Sequence, residues 1–529
     1  MSTQQKTSRP VLGPNPLLLT AAVELIDRAK WSNGAPARSK GMIFHAGMLL
    51  AALIALLCWT GPAQAQISVT TQHYDSARTG ADTHETVLTP SNVNVTQFGK
   101  LFSVPVDGYV YAEPLYMFRV TINGGQHNVV YVATEHDSVY AIDADNPNTV
   151  YWHVSFINPP TVTTVDPNSV SAPYDIIPEI GITSTPVIDP VAGTIYVLAK
   201  TNENGAFVQR LHALDVTTGA ERPGSPVAIT ASVAGTGDGS VSGNLAFDPQ
   251  GENNRPSLLL VNGHIVIGWA SHNDMSPFHG WILSYNASTL AQDGVYNATP
   301  NGGLGGVWMS GMGIAADSSN NIYFSSGNGT FDGNSSTAPN NDFGDSVIKL
   351  GQPSGGSFPF LDWFTPFDQS NMASNDLDLG SAGVVILPDQ STGPHQHLLL
   401  TAGKSGTIYL LNRDSLGHYN ASDNSQVVQT IPGALPGIWG APAWWNNTAF
   451  FSGSGEFGTT GDYLKSYTFD PSTGLFNPVA SQQTTAQFTF PGMEPVVSSN
   501  ATSNGIVWTL QTDQFANTPA GSSILHAYN

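Results

Sequence analysis

A short unit recurs along this chain, and the repeat constrains its fold more than any other feature. The unit opens on a short apolar entry, often a small residue followed by a proline: Ala112-Glu113-Pro114-Leu115, Ser184-Thr185-Pro186-Val187, Gly440-Ala441-Pro442-Ala443 and Met493-Glu494-Pro495-Val496. Gly311-Met312-Gly313-Ile314 and Ser381-Ala382-Gly383-Val384 are versions without the proline. An alternating apolar strand follows, as in Val129 to Ala133, Thr194 to Leu198 and His397 to Thr401. A third strand then runs into a polar turn, as in Val139-Tyr140-Ala141-Ile142-Asp143 and Leu211-His212-Ala213-Leu214-Asp215. Period-2 alternation bounded by Gly, Asn, Asp and Pro is strand and hairpin chemistry. Units of roughly 55 to 70 residues are each too small to bury both faces of a sheet, so they must stack around an axis.

Third strands end near Asp143, Asp215, Asn286, Leu350, Asn412, Thr468 and Asn529, which predicts an all-β propeller of four-stranded antiparallel blades with seven visible repeats. The last repeat stops after its third strand. A propeller removes open strand edges by pairing its end with its beginning, so either the chain is a fragment or residues 67–104 complete the ring. Composition agrees with a turn-rich, strand-rich chain: 54 Gly, 36 Pro and only 11% charged residues, against about 25% in an average soluble domain.

The N-terminal region reads differently. Arg38 and Lys40 precede an apolar run from Met48 to Trp59, and Ala63-Gln64-Ala65 supplies the small residues of a secretory cleavage site. The run is short for a membrane span, and Gly61 and Pro62 break it at once. Residues 1–65 are therefore expected to be an N-terminal extension and signal peptide, and residues 66–529 a single propeller domain, periplasmic or secreted, with no stable membrane span after cleavage. Cys58, the only cysteine, lies in the apolar run, so the remaining chain has no thiol for a disulfide or a cysteine metal site. Without residues 1–65, 11 basic residues face 37 acidic ones, a net charge of −26. A surface this acidic repels phosphate backbones and argues against nucleic acid as a partner.

The repeats resemble those of the pyrroloquinoline quinone (PQQ) propeller family, the superfamily of the quinoprotein alcohol dehydrogenases. The likeness is clearest in Tyr140-Ala141-Ile142-Asp143 with Trp152, and in His212-Ala213-Leu214-Asp215-Val216-Thr217-Thr218-Gly219. It implies an eight-bladed ring with an incomplete C-terminus. It also implies a site, through segments that occur in the family's order. Gly305-Gly306-Val307-Trp308 is similar to the segment whose tryptophan stacks under the quinone. Asn321 to Gly329 is similar to the strand end whose asparagine, here Asn328, binds the metal. Phe364 to Asp368 and Asn375-Asp376-Leu377-Asp378 resemble the segment with the catalytic aspartate, and Ala402 to Tyr409 with Asn412-Arg413 the segment whose basic residue sits over the quinone carbonyl.

The resemblance thus implies Asp376 as base, Lys404 as carbonyl partner, Trp308 as stacking platform, and Asn328, Asp376 and Asp378 as ligands of a calcium ion. A hard cation takes six to eight oxygen ligands and polarises a quinone carbonyl, which suits carboxylates and an amide oxygen. The chain also departs from the family. The metal-binding glutamate is replaced by the stretch Ser271 to Gly280, where Asp274 is a displaced candidate, and the vicinal disulfide above the quinone is absent.

Plainer readings stand beside these. Asn328 in Gly-Asn-Gly suits a left-handed turn, Asp376 and Asp378 suit a solvated polar run, and Trp308 suits blade packing. Two carboxylates in Asp-x-Asp spacing on an extended strand point to opposite faces unless a bend turns both inward. His136, His272 and His279, with Glu135 and Asp137, lie in separate loops without HExxH spacing. Two functions follow: a PQQ- and calcium-dependent oxidoreductase acting on a small-molecule alcohol or sugar, or a non-enzymatic propeller that binds a protein partner or serves as a scaffold in the cell envelope.

Overall fold

The alternating segments form the strands that the repeat predicts. The computed structural model describes residues 67–333, 341–459, 461–514 and 521–529, so the signal-peptide reading and Cys58 lie outside the described residues. Blade 1 is Leu115–Ile122, Gly125–Thr134, Ser138–Asp143 and Val150–Ser155, paired antiparallel in that order. Blades 2 to 6 repeat the pattern from innermost strands Val187–Asp189, Leu259–Val261, Ala315–Ala316, Val385–Ile386 and Ala443–Trp445. Blade 7 is Val496–Asn500, Ser503–Gln511 and Ile524–Tyr528.

Among the described residues the ring has seven blades, not the eight that the resemblance implies. Residues 67–114 build no further blade. Instead, Ala81–Asp82 pairs in parallel with Val497 and Ser498 on the inner edge of blade 7. The expected contribution of the N-terminal segment to closure is thus real, but it is made at the axis.

The repeat's aromatic and turn residues join neighbouring blades. Trp152 at the outer edge of blade 1 donates its indole N–H to the Val216 carbonyl at 3.0 Å, and Tyr131 donates to the same oxygen at 3.0 Å. That oxygen belongs to the Asp215 to Gly219 turn of blade 2. Gly219 has φ +71, and a Cβ there would stand 2.7 Å from the Trp152 ring, so the turn needs glycine on both counts.

Residues 69–82 run across the axis and contact all seven blades. Val69 bridges Tyr116 of blade 1 with two 2.8 Å bonds, and the Thr70 carbonyl accepts from Ile188 of blade 2 at 2.8 Å. Ser76, Ala77, Thr79 and Gly80 accept from Ala316, Ile386, Trp444 and Val497, the innermost strands of blades 4, 5, 6 and 7, at 2.7–2.8 Å. Arg78, fully buried, reaches the Leu258 carbonyl beside blade 3 at 3.3 Å and the Ile314 carbonyl before blade 4 at 3.1 Å. Its third nitrogen donates to Thr71 Oγ1 and the Gln72 carbonyl, both at 2.7 Å.

Two glutamates from the repeat's opening motif sit beside this segment. Glu113 Oε2 accepts from the His73 backbone at 3.3 Å, and Glu494 Oε1 from the Ala441 backbone at 3.3 Å. Both side chains keep some exposure, yet protein surrounds the carboxyls. Burial pushes Glu494 up to about 8, aided by the nearby Glu113 charge, and pushes Glu113 up to about 7.

Arg78→Ala removes donors from four acceptors, each worth about 1–3 kcal/mol when orphaned. It should lower stability by at least about 3 kcal/mol in urea unfolding, and Arg78→Lys should restore only part of that loss, because an ammonium lacks the planar fork. A Glu494 carboxyl raised on folding contributes stability that is complete below the unfolded value near pH 4 and is lost as pH rises towards 8. Glu494→Gln should therefore melt close to wild type at pH 5 and clearly above it at pH 8; parallel melting curves across that range would show that the group does not titrate on folding.

Candidate functional site

Asn328, Asp376, Asp378 and Lys404 come from two adjacent blades and meet in one hydrogen-bonded cluster. Asn328 follows the second strand of blade 4, Ile322–Ser325. Its backbone N–H donates to Asp378 Oδ1 at 2.6 Å, and its Nδ2 to Asp376 Oδ1 at 2.9 Å. Lys404 follows the second strand of blade 5, Leu398–Ala402. Its Nζ lies 2.9 Å from Asp376 Oδ2 and 2.8 Å from Asp378 Oδ2, and its backbone N–H donates to the Asp378 carbonyl at 2.9 Å.

The Asp-x-Asp pair reaches one partner because the backbone bends. A short helix, Gln369–Ser374, ends before Asp376, which takes φ +56, a left-handed value rare for a non-glycine residue. The turn brings exposed Asp376 and buried Asp378 onto the same ammonium. Asn328 is not in the left-handed region, so its place in Gly-Asn-Gly is not explained by turn preference. Close packing also depends on Gly327: a Cβ there would strike the Asp378 carboxylate and stand 2.8 Å from the Trp308 ring.

Trp308 is therefore part of the same neighbourhood. Its indole is partly exposed, meets Phe278 edge-on with ring centroids 6.1 Å apart, and has the Arg255 guanidinium 5.8 Å from its centroid. Asp274 hydrogen-bonds to none of the four clustered residues but feels them. Although its side chain is open to solvent, the surrounding loops desolvate its carboxyl, and the Asp378 and Asp376 charges add to the upward push. Arg413 lies elsewhere, with its guanidinium on the Leu398 carbonyl at 3.1 Å and Asp389 at 2.6 Å.

The electrostatics follow from this packing. Burial pushes Asp378 upward, and Lys404 opposes the push. Burial works against the Lys404 charge, but Asp378 and then Asp376 outweigh it and hold the ammonium above its ordinary value. One oxygen stands apart: Asn328 Oδ1 is buried without a hydrogen-bond partner, while its Nδ2 is committed to Asp376. Asn328 Oδ1, Asp376 and Asp378 form an oxygen donor set of the kind a hard cation prefers.

No motif or spacing marks Asp345, which supports the cluster through Leu379 and Gln369. Fully buried, it accepts from the Leu379 backbone and from Gln369 Nε2, both at 3.2 Å, and burial followed by the Asp378 charge pushes it up to about 8. It stands in the Asn341 to Asp345 stretch, where no spacing or motif marks it.

No protein-family model matches the chain, and no curated protein matches it. Solved structures do. A europium-containing methanol dehydrogenase is similar at 13% identity and TM-score 0.55, over 85% of this chain and 83% of its own. A quinohemoprotein alcohol dehydrogenase from Comamonas testosteroni has 13% identity and TM-score 0.52, over 88% and 81%. A second one, from Pseudomonas putida HK5, has 15% identity and TM-score 0.50, over 87% and 66%. At these identities the likeness is one of fold: the chain shares the propeller architecture of quinoprotein alcohol dehydrogenases.

Lys404→Met would leave Asp376 and Asp378 facing each other without a cation. With Asp378 buried and Asp376 open to solvent, the expected loss is about 2 kcal/mol at pH 7. It should shrink towards pH 4 as the buried Asp378 carboxyl, already pushed upward, takes up a proton. Denaturant unfolding at both pH values checks this, and an equal loss at each would assign the effect to lost packing.

Proposed function

We propose that the chain is an exported quinoprotein-type oxidoreductase that oxidises a small alcohol or sugar. The observation that carries this reading is the convergence of Trp308, Asn328, Asp376, Asp378 and Lys404, with Asn328 Oδ1 left unpartnered among them. Asn328, Asp376 and Asp378 would hold calcium, with Asp274 as a further oxygen donor, and the quinone would lie against Trp308 with Lys404 at a carbonyl. When bound, the quinone with its calcium supplies the two-electron oxidant.

The remaining chemistry belongs to the chain's own residues. Asp376, exposed and carried on a left-handed turn, would take the proton of a substrate hydroxyl at Oδ1 or Oδ2. Lys404 holds positive charge beside it and would move from its carboxylates to stabilise developing negative charge. Export rests on the basic pair, the apolar run and the small-residue cleavage pattern before residue 66.

One observation favours a second reading, a binding propeller without redox chemistry. Lys404 already pairs with both carboxylates, and the family's metal-binding glutamate is missing. Purified protein given PQQ and calcium distinguishes the two. The oxidoreductase reading expects a bound-quinone absorbance and reduction of an artificial electron acceptor with some member of an alcohol and sugar panel. Asp376→Asn should then lose about 100-fold or more of that rate while keeping the absorbance. No quinone binding and no acceptor reduction would leave the binding propeller standing.

A further inference from the structure

The segment that fills the axis also helps to enclose a cavity between the first and last blades. It measures about 400 Å³, within the range of small-molecule sites, roughly 300–1,000 Å³. Ile67, Val69 and Tyr74 line it from the axial side, Tyr116 lines it from the first strand of blade 1, and residues 82–88 supply the remaining wall. Backbone bonds hold both sides. Val69 is paired to Tyr116 by two 2.8 Å bonds, and the Glu85 N–H donates to the Ser499 carbonyl of blade 7 at 2.9 Å.

The polar part of the lining is acidic. Among the described residues no Lys or Arg lines the cavity, and His84 turns a side chain that is 62% exposed largely to solvent. One oxygen of each carboxyl group is spent on the local backbone: Asp82 Oδ1 accepts from His84 N–H at 2.8 Å, and Glu85 Oε1 accepts from Leu88 N–H at 3.0 Å. Asp82 Oδ2 and Glu85 Oε2 accept no hydrogen bond among the described residues. Burial and then the Glu85 charge push the Asp82 carboxyl upward, against the pull of the His84 N–H.

Tyr74 stands with these two acids. After burial, the charges that raise its hydroxyl are those of Glu113, Asp82 and Glu85, so the phenol keeps its proton among carboxyl groups. His73 and Tyr74 take φ +58 and +68, consecutive left-handed values that side chains other than glycine rarely adopt. Such backbone persists only where its surroundings fix it, and it clusters at ligand sites. Here the His73 carbonyl fixes it by accepting from Asp75 and Gly80 at 2.9 and 3.1 Å. Aliphatic side chains, Ile67, Val69 and Leu88 among them, make up much of the remaining lining.

We infer that this cavity binds a primary alkylammonium ion, with Asp82, Glu85 and Tyr74 receiving the ammonium and the aliphatic wall receiving the chain. An ammonium has three N–H donors and no acceptor, which suits two open carboxylate oxygens and a phenol oxygen. An aromatic ring beside it adds attraction for a cation. The alkyl requirement follows from the aliphatic wall, which a bare ammonium ion would leave unused. The site shares no residue with the Asn328 cluster and does not depend on the oxidoreductase reading.

Calorimetric titration of the full chain with n-butylammonium at pH 7 tests this, with butyrate and ammonium chloride as comparisons. Saturable binding of one n-butylammonium per chain is expected, tighter than that of ammonium ion, and butyrate should not bind. Asp82→Asn/Glu85→Gln keeps the oxygens that hold the local backbone but removes both charges, and should weaken binding at least about tenfold. Tyr74→Phe keeps the ring and should weaken it several-fold, which decides the matter if the double variant does not fold. Asp376→Asn/Asp378→Asn should bind as wild type does. Absence of n-butylammonium binding to wild type overturns the proposal, as does unchanged affinity in Tyr74→Phe or in a folded Asp82→Asn/Glu85→Gln. Loss of binding in a folded Asp376→Asn/Asp378→Asn would place the ligand at the other cluster and overturn it too, and equal binding of ammonium ion alone would overturn the alkyl class.

Discussion

The ring depends on one buried guanidinium and the stretch of chain that carries it. A propeller blade pairs strongly within itself but meets its neighbours mainly through side chains, so something must stop the blades from sliding at the axis. Residues 69–82 do this with backbone hydrogen bonds to six innermost strands, and Arg78 adds bonds beside the third and fourth. Arg suits the position because its donors fan out in a plane towards several carbonyls at once. Burial lowers its proton affinity only to about 10, so it stays charged. The segment also supplies the parallel strand on blade 7, so closure and axial filling are one event.

The candidate cluster draws on turns that follow second strands and on the loop leading into blade 5. Asp378 makes contacts to both neighbours, receiving Asn328 N–H on one side and offering its carbonyl to Lys404 N–H on the other. The side-chain cluster therefore rests on backbone bonds between blades 4 and 5, and Asp345 ties the following residue, Leu379, to the same framework.

The parts of this structure legible in the sequence are those with a period. Alternation in Val129 to Ala133 and its counterparts gave the strands, and the recurring third strands, five of the seven ending on Asp or Asn, gave the repeat number. Trp152 and Gly219 declared their contact through the family's docking pattern. Residues 69–82 have no alternation, because their carbonyls are each spent on a different blade; nothing local marks Arg78 as central. The described residues form seven blades, the number of repeats visible in the sequence, where the resemblance implied eight. In the site, residue types and order were legible, but the left-handed turn at Asp376 that brings both acids onto Lys404 was not, since no glycine announces it. Asp345 and the Glu135–Asp137 pair lack a linear signature, because burial is set by loops from other blades.

The acidic clusters around Asp378 and Asp137 illustrate how a chain with few charges uses them. Among 529 residues only 17 are Lys or Arg, so a cation placed inside the ring is a scarce resource. Lys404 is committed between Asp376 and Asp378, while Lys200, whose backbone amide acts on Asp137, has its ammonium turned towards carbonyls and His272. Burial holds Lys200 down at about 7, so it is a poor counter-charge even where it lies. A buried carboxylate needs protonation, pairing or a bound cation. At Asp378 the protein provides the pairing itself. At Glu135 and Asp137 three of the four carboxylate oxygens have no hydrogen-bond partner among the described residues, so burial raises both carboxyls unopposed by a paired ammonium, whereas at Asp378 Lys404 opposes it.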